Sequence, residues 1–180
     1  MKTPKEPGLE SLKRSAVAYL ERYAASQAML RAVLKRRVQR WARLTGAEAG
    51  AVAAKMGLAD EAVAVAARAG LVDDARFAGA RTATLVRKGW PARRIGAALA
   101  QKGVSRETAA AALEAAALDD GAAARRFAER RRLGPWRISA EKRAEKREKD
   151  IAALMRTGFS LSHARAAIDG SAGGEHGDED

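Results

Sequence analysis

Helix stops and helix starts recur along this chain in a fixed order, and that recurrence limits its fold more than any other feature. Setting residues 101–114 (QKGVSRETAAAALE) against 156–169 (RTGFSLSHARAAID) pairs Gly103 with Gly158, Ser105 with Ser160, Val104 with Phe159 and Leu113 with Ile168. At the same spacing of 55, Leu99 falls on Leu154. A second spacing, of 65, sets Ser26, Leu30 and Leu34 on Pro91, Ile95 and Leu99. Asp73-Asp74 and Asp119-Asp120 mark a third correspondence, each pair being followed by a glycine stop and a tryptophan (Trp90, Trp136). Glycine ends helices because it accepts a left-handed backbone, and Ser or Asp begins them by capping free amides. Stops, caps and apolar positions shared in one order describe a three-helix unit used three times, at about 15–70, 73–117 and 119–169. The expected fold is all-α, an elongated array of three tandem three-helix repeats.

Between these marks the apolar spacing assigns individual helices. Residues 1–14, polar with two prolines, read as a flexible N-terminus. Ser15 is the expected first N-cap, with Val17, Leu20 and Tyr23 on one face after it. A second helix starts near Ser26, carries Leu30, Val33 and Leu34, and reaches about Trp41. The stretch 44–58 is rich in Ala and Gly without amphipathic order and reads as an extended connection, followed by a helix from about Asp60 to Ala69. The Asp-Asp pairs open the next two repeats, where carboxylates complement the positive helix end. Pro91, Ser105, Ala140 and Ser160 begin further helices; Gly89, Gly103, Gly134 and Gly158 end them. Residues 170–180 read as a disordered acidic tail.

Hydrophobic residues make up 47% of the 180 but aromatics only 4%, so alanine, the best helix former, carries much of the apolar content. Alternating β-branched runs are missing, which excludes a strand-based core. The formal charge is +12. Four of the 22 acids (Glu175, Asp178, Glu179, Asp180) stand in the tail; the other 18 against 34 Lys and Arg leave the body at +16. Such a charge favours phosphate-rich or acidic partners. Cysteine is absent, so disulfide and thiol chemistry are excluded. No apolar stretch follows the first charges, and the alanine-rich windows are broken by Lys55 or Glu114, so no signal peptide or spanning segment is expected and the cytoplasm is. His163 and His176 are the only histidines; Ser160 or Ser162 beside His163 reads as a cap and a surface pair rather than a catalytic dyad. No enzyme, metal or cofactor is expected.

Phe77, Phe127 and Phe159 occupy apolar helix positions and read as core. Trp90 and Trp136 stand at helix–helix turns, as lids on the core or as exposed contacts, and Trp41 has no assigned place. Base stacking on aromatics is therefore a weak expectation.

GLVDDARF (70–77), followed by Arg81, Lys88-Gly89, Arg94-Ile95, Leu99 and Lys102-Gly103, resembles the middle repeat of RecX proteins, the bacterial modulators of the RecA recombinase. AVAYLERYAASQAMLRAVL (16–34) and KDIAALMRTGFS (149–160) resemble the first and last repeats, in the same order. The sequence departs from that pattern at Met29 and Ala98, where the family usually has Glu, and at Trp90-Pro91, in place of Gly-Pro. The resemblance implies a regulator, mainly an inhibitor, that lodges in the groove of the RecA–DNA filament and limits its growth, ATP hydrolysis and strand exchange in DNA repair and recombination. Implied partners are RecA, its filament, and single- and double-stranded DNA; a monomer is expected, with no membrane partner. The alternative is a helical-repeat protein that binds DNA directly.

Two basic sets are the candidate contacts. In the middle repeat they are Arg76, Arg81, Arg87, Lys88, Arg93, Arg94 and Lys102. In the third they are Arg125, Arg126, Arg130, Arg131, Arg132, Lys142 and Lys146, within a stretch from Arg125 to Lys149 where eleven cations face four acids. For 140–149 a solvated helix laced by pairs such as Glu145–Lys149 is an equal reading.

Overall fold

A computed structural model describes residues 5–170. Among these residues the secondary structure is helical throughout: α1 (Leu9–Leu20), α2 (Gln27–Thr45), α3 (Ala49–Arg68), α4 (Asp74–Arg87), α5 (Ala92–Ala100), α6 (Arg106–Ala115), α7 (Asp120–Arg130), a 3₁₀ turn at Gly134–Trp136, α8 (Ala140–Thr157) and α9 (Leu161–Asp169). Nine helices in chain order fit the all-α helical-repeat reading. The chain divides into two compact units. Of the described residues, the first holds 5–80 together with Leu99–Ala112; the second holds Arg81–Ala98 and 113–170.

In the first unit α3 packs against both α1 and α2. Ala59, Ala62, Val63 and Ala66 form the buried stripe of α3 at i, i+3, i+4 and i+7, and Leu30, Leu34 and Val38 that of α2. Alanine on one face and leucine on the other bring backbones close while filling the space between them. Leu12 and Ala16 complete this core from α1.

Four expectations for this region fail. The stretch 44–58 is no extended connection: α2 runs to Thr45, and α3 begins at Ala49 and is continuous to Arg68. Its first half shows little amphipathic contrast because alanine occupies its exposed positions as well. Helix propensity carries the segment through Gly50 and Gly57, whose Cα atoms face open space. Nor are residues 1–14 wholly flexible, since α1 starts at Leu9 with Gly8 as N-cap. Ser15 is therefore not a cap. Its hydroxyl donates to the Ser11 carbonyl, one turn back. The predicted apolar face is rotated too: Leu12 and Ala16 are buried, whereas Val17 and Tyr23 are 41% and 57% exposed.

The Asp-Asp pairs do more than open their own helices. Asp73 accepts from the Arg76 amide (2.9 Å) and Asp119 from the Ala122 amide (2.8 Å), each capping the helix it begins. The second aspartate of each pair reaches back along the chain. Asp74 accepts from the Gln27 amide at the start of α2 (2.8 Å), and Asp120 from the Ala92 amide at the start of α5 (3.0 Å). Gln27 and Ala92 are 65 residues apart, the spacing that aligns Ser26 with Pro91. One carboxylate device thus joins a helix start to an earlier helix start in each unit.

The start of α2 is also seated on residues 102–103. The Ser26 hydroxyl accepts from the Met29 amide and donates to the Lys102 carbonyl. Gly103, at φ +73°, lies so close to Ala28 that a Cβ there would come within 2.2 Å of the alanine methyl. Only glycine fits both that backbone and that approach.

The second unit packs α7, α8 and α9 around Ala124, Ala128, Ile151, Leu154, Phe159, Ala164 and Ile168. Helix α7 ends at Arg130, earlier than the expected stop at Gly134, because residues 131–133 leave the helix for the 3₁₀ turn. Asp150, its side chain 3% exposed, holds that turn: it accepts from the Gly134 amide (2.9 Å) and from Arg137 Nε (2.7 Å) and Nη2 (2.6 Å). Burial pushes the Asp150 carboxyl up, but the Arg137 and Gly134 bonds outweigh it and leave the group below the ordinary carboxylate range. The acidic tail beyond Gly170 lies outside the described residues, and no described helix is long and apolar enough to cross a membrane.

Candidate functional site

The ends of three helices in the second unit bring basic side chains together. Pro91 is buried at the head of α5, so the first turn of that helix carries Arg93 and Arg94 outward. Helix α8 closes at Gly158, whose left-handed backbone (φ +111°) sets a bare Cα against α5: a Cβ there would meet Arg94 Cβ at 3.2 Å and Pro91 Cγ at 3.3 Å. This approach carries Arg156, in the last turn of α8, to the same place. Helix α7 contributes Arg130 and then Arg131. The Arg130 guanidinium packs on Gly89, where a Cβ would fall 2.8 Å from Nη2.

These residues line two adjoining hollows of about 600 and 380 Å³ that share Arg94, Phe127, Arg131 and Thr157. Lys88, Arg93, Arg94, Arg130, Arg131 and Arg156 supply six positive charges, and neither hollow is lined by an acid. None of the six makes an ion pair among the described residues. Aromatic rings steady two of them: Arg94 lies 3.7 Å from the Trp90 ring centroid, and Arg131 lies 5.6 Å from that of Phe127. Phe127 in turn tilts at 57° onto the buried Phe159, at 5.9 Å. Arginines held on a rigid apolar floor with unsatisfied forks are suited to phosphate or carboxylate groups.

Of the candidate contacts, five converge here: Lys88, Arg93, Arg94, Arg130 and Arg131. Arg156 joins them and had not been singled out. A lone arginine at a helix end carries no sequence signal of the fold that brings it to α5. The other candidates lie elsewhere. Arg76 and Lys102 belong to the first unit, where Arg76 donates to the Gly70 carbonyl (2.9 Å) at the end of α3. Arg81 is half-buried, with Nε lacking a partner, and Arg87 reaches Thr84 at 3.3 Å. Arg125, Arg126 and Arg132 are exposed away from the hollows.

Lys142 and Lys146 sit on a helix laced by local pairs. Glu145 pairs with the adjacent Lys146, in place of the expected Lys149, and Arg147 joins α8 to Asp169 of α9. Trp136 packs on the core as a lid, while Trp90 serves the hollow. Ser160 is a cap, accepting from the His163 backbone amide at 3.1 Å. No group of three His, Asp or Glu suited to a metal occurs among the described residues.

Comparison with known proteins bears on the family of the chain. Residues 73–113, beginning at the first aspartate of the middle repeat, match the family model for the second three-helix domain of RecX. The regulatory protein RecX of Myxococcus xanthus (strain DK1622) is 36% identical over 170 residues, covering 93% of this chain and 89% of that protein. With that identity held over nearly its whole length, this chain belongs to the RecX family of regulatory proteins.

Proposed function

We propose that this protein regulates RecA, mainly as an inhibitor, by binding the RecA–DNA filament in its groove and limiting filament growth, ATP hydrolysis and strand exchange. The observation that carries this reading is the pair of adjoining hollows in the second unit, lined by six cations that make no ion pair among the described residues and by no acid. Its natural ligand is a regular polyanion, and a filament on DNA carries phosphates at close, regular spacing. Of the candidate contacts, Lys88, Arg93, Arg94, Arg130 and Arg131 do this work together with Arg156. The remaining candidates (Arg76, Arg81, Arg87, Lys102, Arg125, Arg126, Arg132, Lys142 and Lys146) contribute at the margin. The protein acts without catalysis or cofactor, as a cytoplasmic monomer.

The test titrates the protein into RecA on single-stranded DNA at moderate salt and follows ATP hydrolysis. Loss of hydrolysis well below one protein per RecA protomer is the expected result. Inhibition that sets in only when the DNA lattice is saturated would mean simple competition for DNA.

A further inference from the structure

A second groove, of about 1010 Å³, lies in the first unit between the end of α1 and the last turns of α2. Helical spacing builds both walls. Tyr19 stands in the last turn of α1, Arg22 and Tyr23 in the turn that follows, where the Tyr23 amide still donates to the Tyr19 carbonyl (3.0 Å), and Arg37, Trp41 and Leu44 share one face of α2 at i, i+4 and i+7. The Tyr19 and Tyr23 rings lie 5.1 Å apart and tilted by 39°, and Tyr23 and Leu44 are 57% and 53% exposed. Tyr23 and Leu44 are thus left in water beside cations, with Tyr19 and Trp41 half-buried next to them. Arg40 shares the groove as well, and no acidic residue lines it.

The charge here differs in kind from the rest of α2. Arg31 and Lys35, on another face, both pair with Asp60 of α3. Arg22, Arg37 and Arg40 make no ion pair among the described residues. A ligand that suits this groove carries closely spaced negative charge and flat apolar faces together. Duplex DNA offers the charge with its faces stacked away, and a run of acidic side chains such as polyglutamate offers charge without rings. Single-stranded nucleic acid offers both.

We infer that the groove formed by Tyr19, Tyr23, Trp41 and the arginines around them is a stacking site for unpaired bases of single-stranded nucleic acid. It is built from first-unit residues alone, none of which lines the hollows of the second unit, and it gives Trp41 a role.

The full chain, without RecA, is titrated by fluorescence polarisation into a labelled oligothymidine of about 20 nucleotides, and into an abasic polymer of equal length and charge. Oligothymidine is expected to bind about tenfold or more tightly than the abasic polymer. Tyr23→Ala, at an exposed position, lowers oligothymidine affinity by about fivefold to a hundredfold while leaving its salt slope unchanged. Tyr23→Phe and Trp41→Phe retain binding, and circular dichroism confirms that each variant is folded. Arg37→Ala with Arg40→Ala weakens both polymers and reduces the salt slope by about 1.4. Equal affinity for the two polymers, or a folded Tyr23→Ala that binds like the wild type, would overturn the proposal. So would displacement of oligothymidine by polyglutamate at equal charge concentration. Because RecA is not in the assay, failure here leaves the filament reading standing, and failure of the filament assay leaves this one.

Discussion

Asp150→Asn offers the sharpest test of how the second unit is held. The wild-type carboxylate is almost fully buried and accepts three bonds of 2.6–2.9 Å, two from Arg137 and one from the Gly134 amide. Asparagine keeps one acceptor oxygen and turns an NH₂ group toward donors, so at least one bond becomes a clash. Removing one partner of a buried pair costs about 3–5 kcal/mol. Arg137, whose side chain is 27% exposed, can recover some hydration, which sets the expectation at about 2–3 kcal/mol. If the 180 residues unfold as one, that lowers the thermal midpoint by roughly 4–12 °C.

The pH dependence follows from the same bonds. The folded Asp150 carboxyl lies below its ordinary range. Its contribution is therefore full above the unfolded value near 4 and disappears as pH falls through the lower folded value. Urea unfolding followed by circular dichroism at several pH values measures both effects. The gap between wild type and Asp150→Asn should be widest near neutrality and shrink below about pH 4. A gap under about 0.5 kcal/mol at neutral pH, or one that stays constant into acid, would refute the reasoning.

Four further outcomes are expected. Asp74→Ala and Asp120→Ala each remove a cap from a distant helix start and should cost about 1 kcal/mol in urea unfolding. Gly103→Ala adds a methyl where Ala28 leaves no room, so it should destabilise by about 1–3 kcal/mol, and Ala28→Gly should partly rescue it. Ala62→Leu overfills the close α3 face and should cost a similar 1–3 kcal/mol, whereas Ala53→Leu on its exposed side should be nearly neutral. Arg94→Ala with Arg131→Ala should reduce the salt slope of binding to RecA filaments on DNA by about 1–2 without changing the thermal midpoint.

Where the sequence was legible, punctuation made it so. Gly103, Gly158, Ser105, Ser160 and the Asp-Asp pairs constrain backbone angles or free amides directly, and those boundaries could be read from single residues. The start of α1 and the first half of α3 escape a residue-by-residue reading because their signal is relative, whereas the second half of α3 is the helix expected from about Asp60 to Ala69. Alanine surrounds alanine from 47 to 69, so no face stands out until Leu30, Leu34 and Val38 are seen opposite. The candidate site was half legible: charge density marked Arg130 and Arg131, and the middle motif marked Lys88 and Arg94. Arg156 and the first-unit groove depend on helix ends meeting across long stretches of sequence, for which no local pattern exists. Trp41 shows the same limit. Its neighbours Tyr19 and Tyr23 come from the last turn of α1 and the turn after it, and only the packing of α1 on α2 makes them a set.

The central claim is that unpaired arginines of the second unit engage the RecA–DNA filament. It is tested most directly by ATP hydrolysis of RecA on single-stranded DNA, with wild type and Arg94→Glu/Arg131→Glu compared at equal substoichiometric amounts. Wild type should suppress hydrolysis, and the doubly reversed variant, folded by circular dichroism, should need about tenfold more protein or fail to suppress it. Equal inhibition by both proteins would contradict the account.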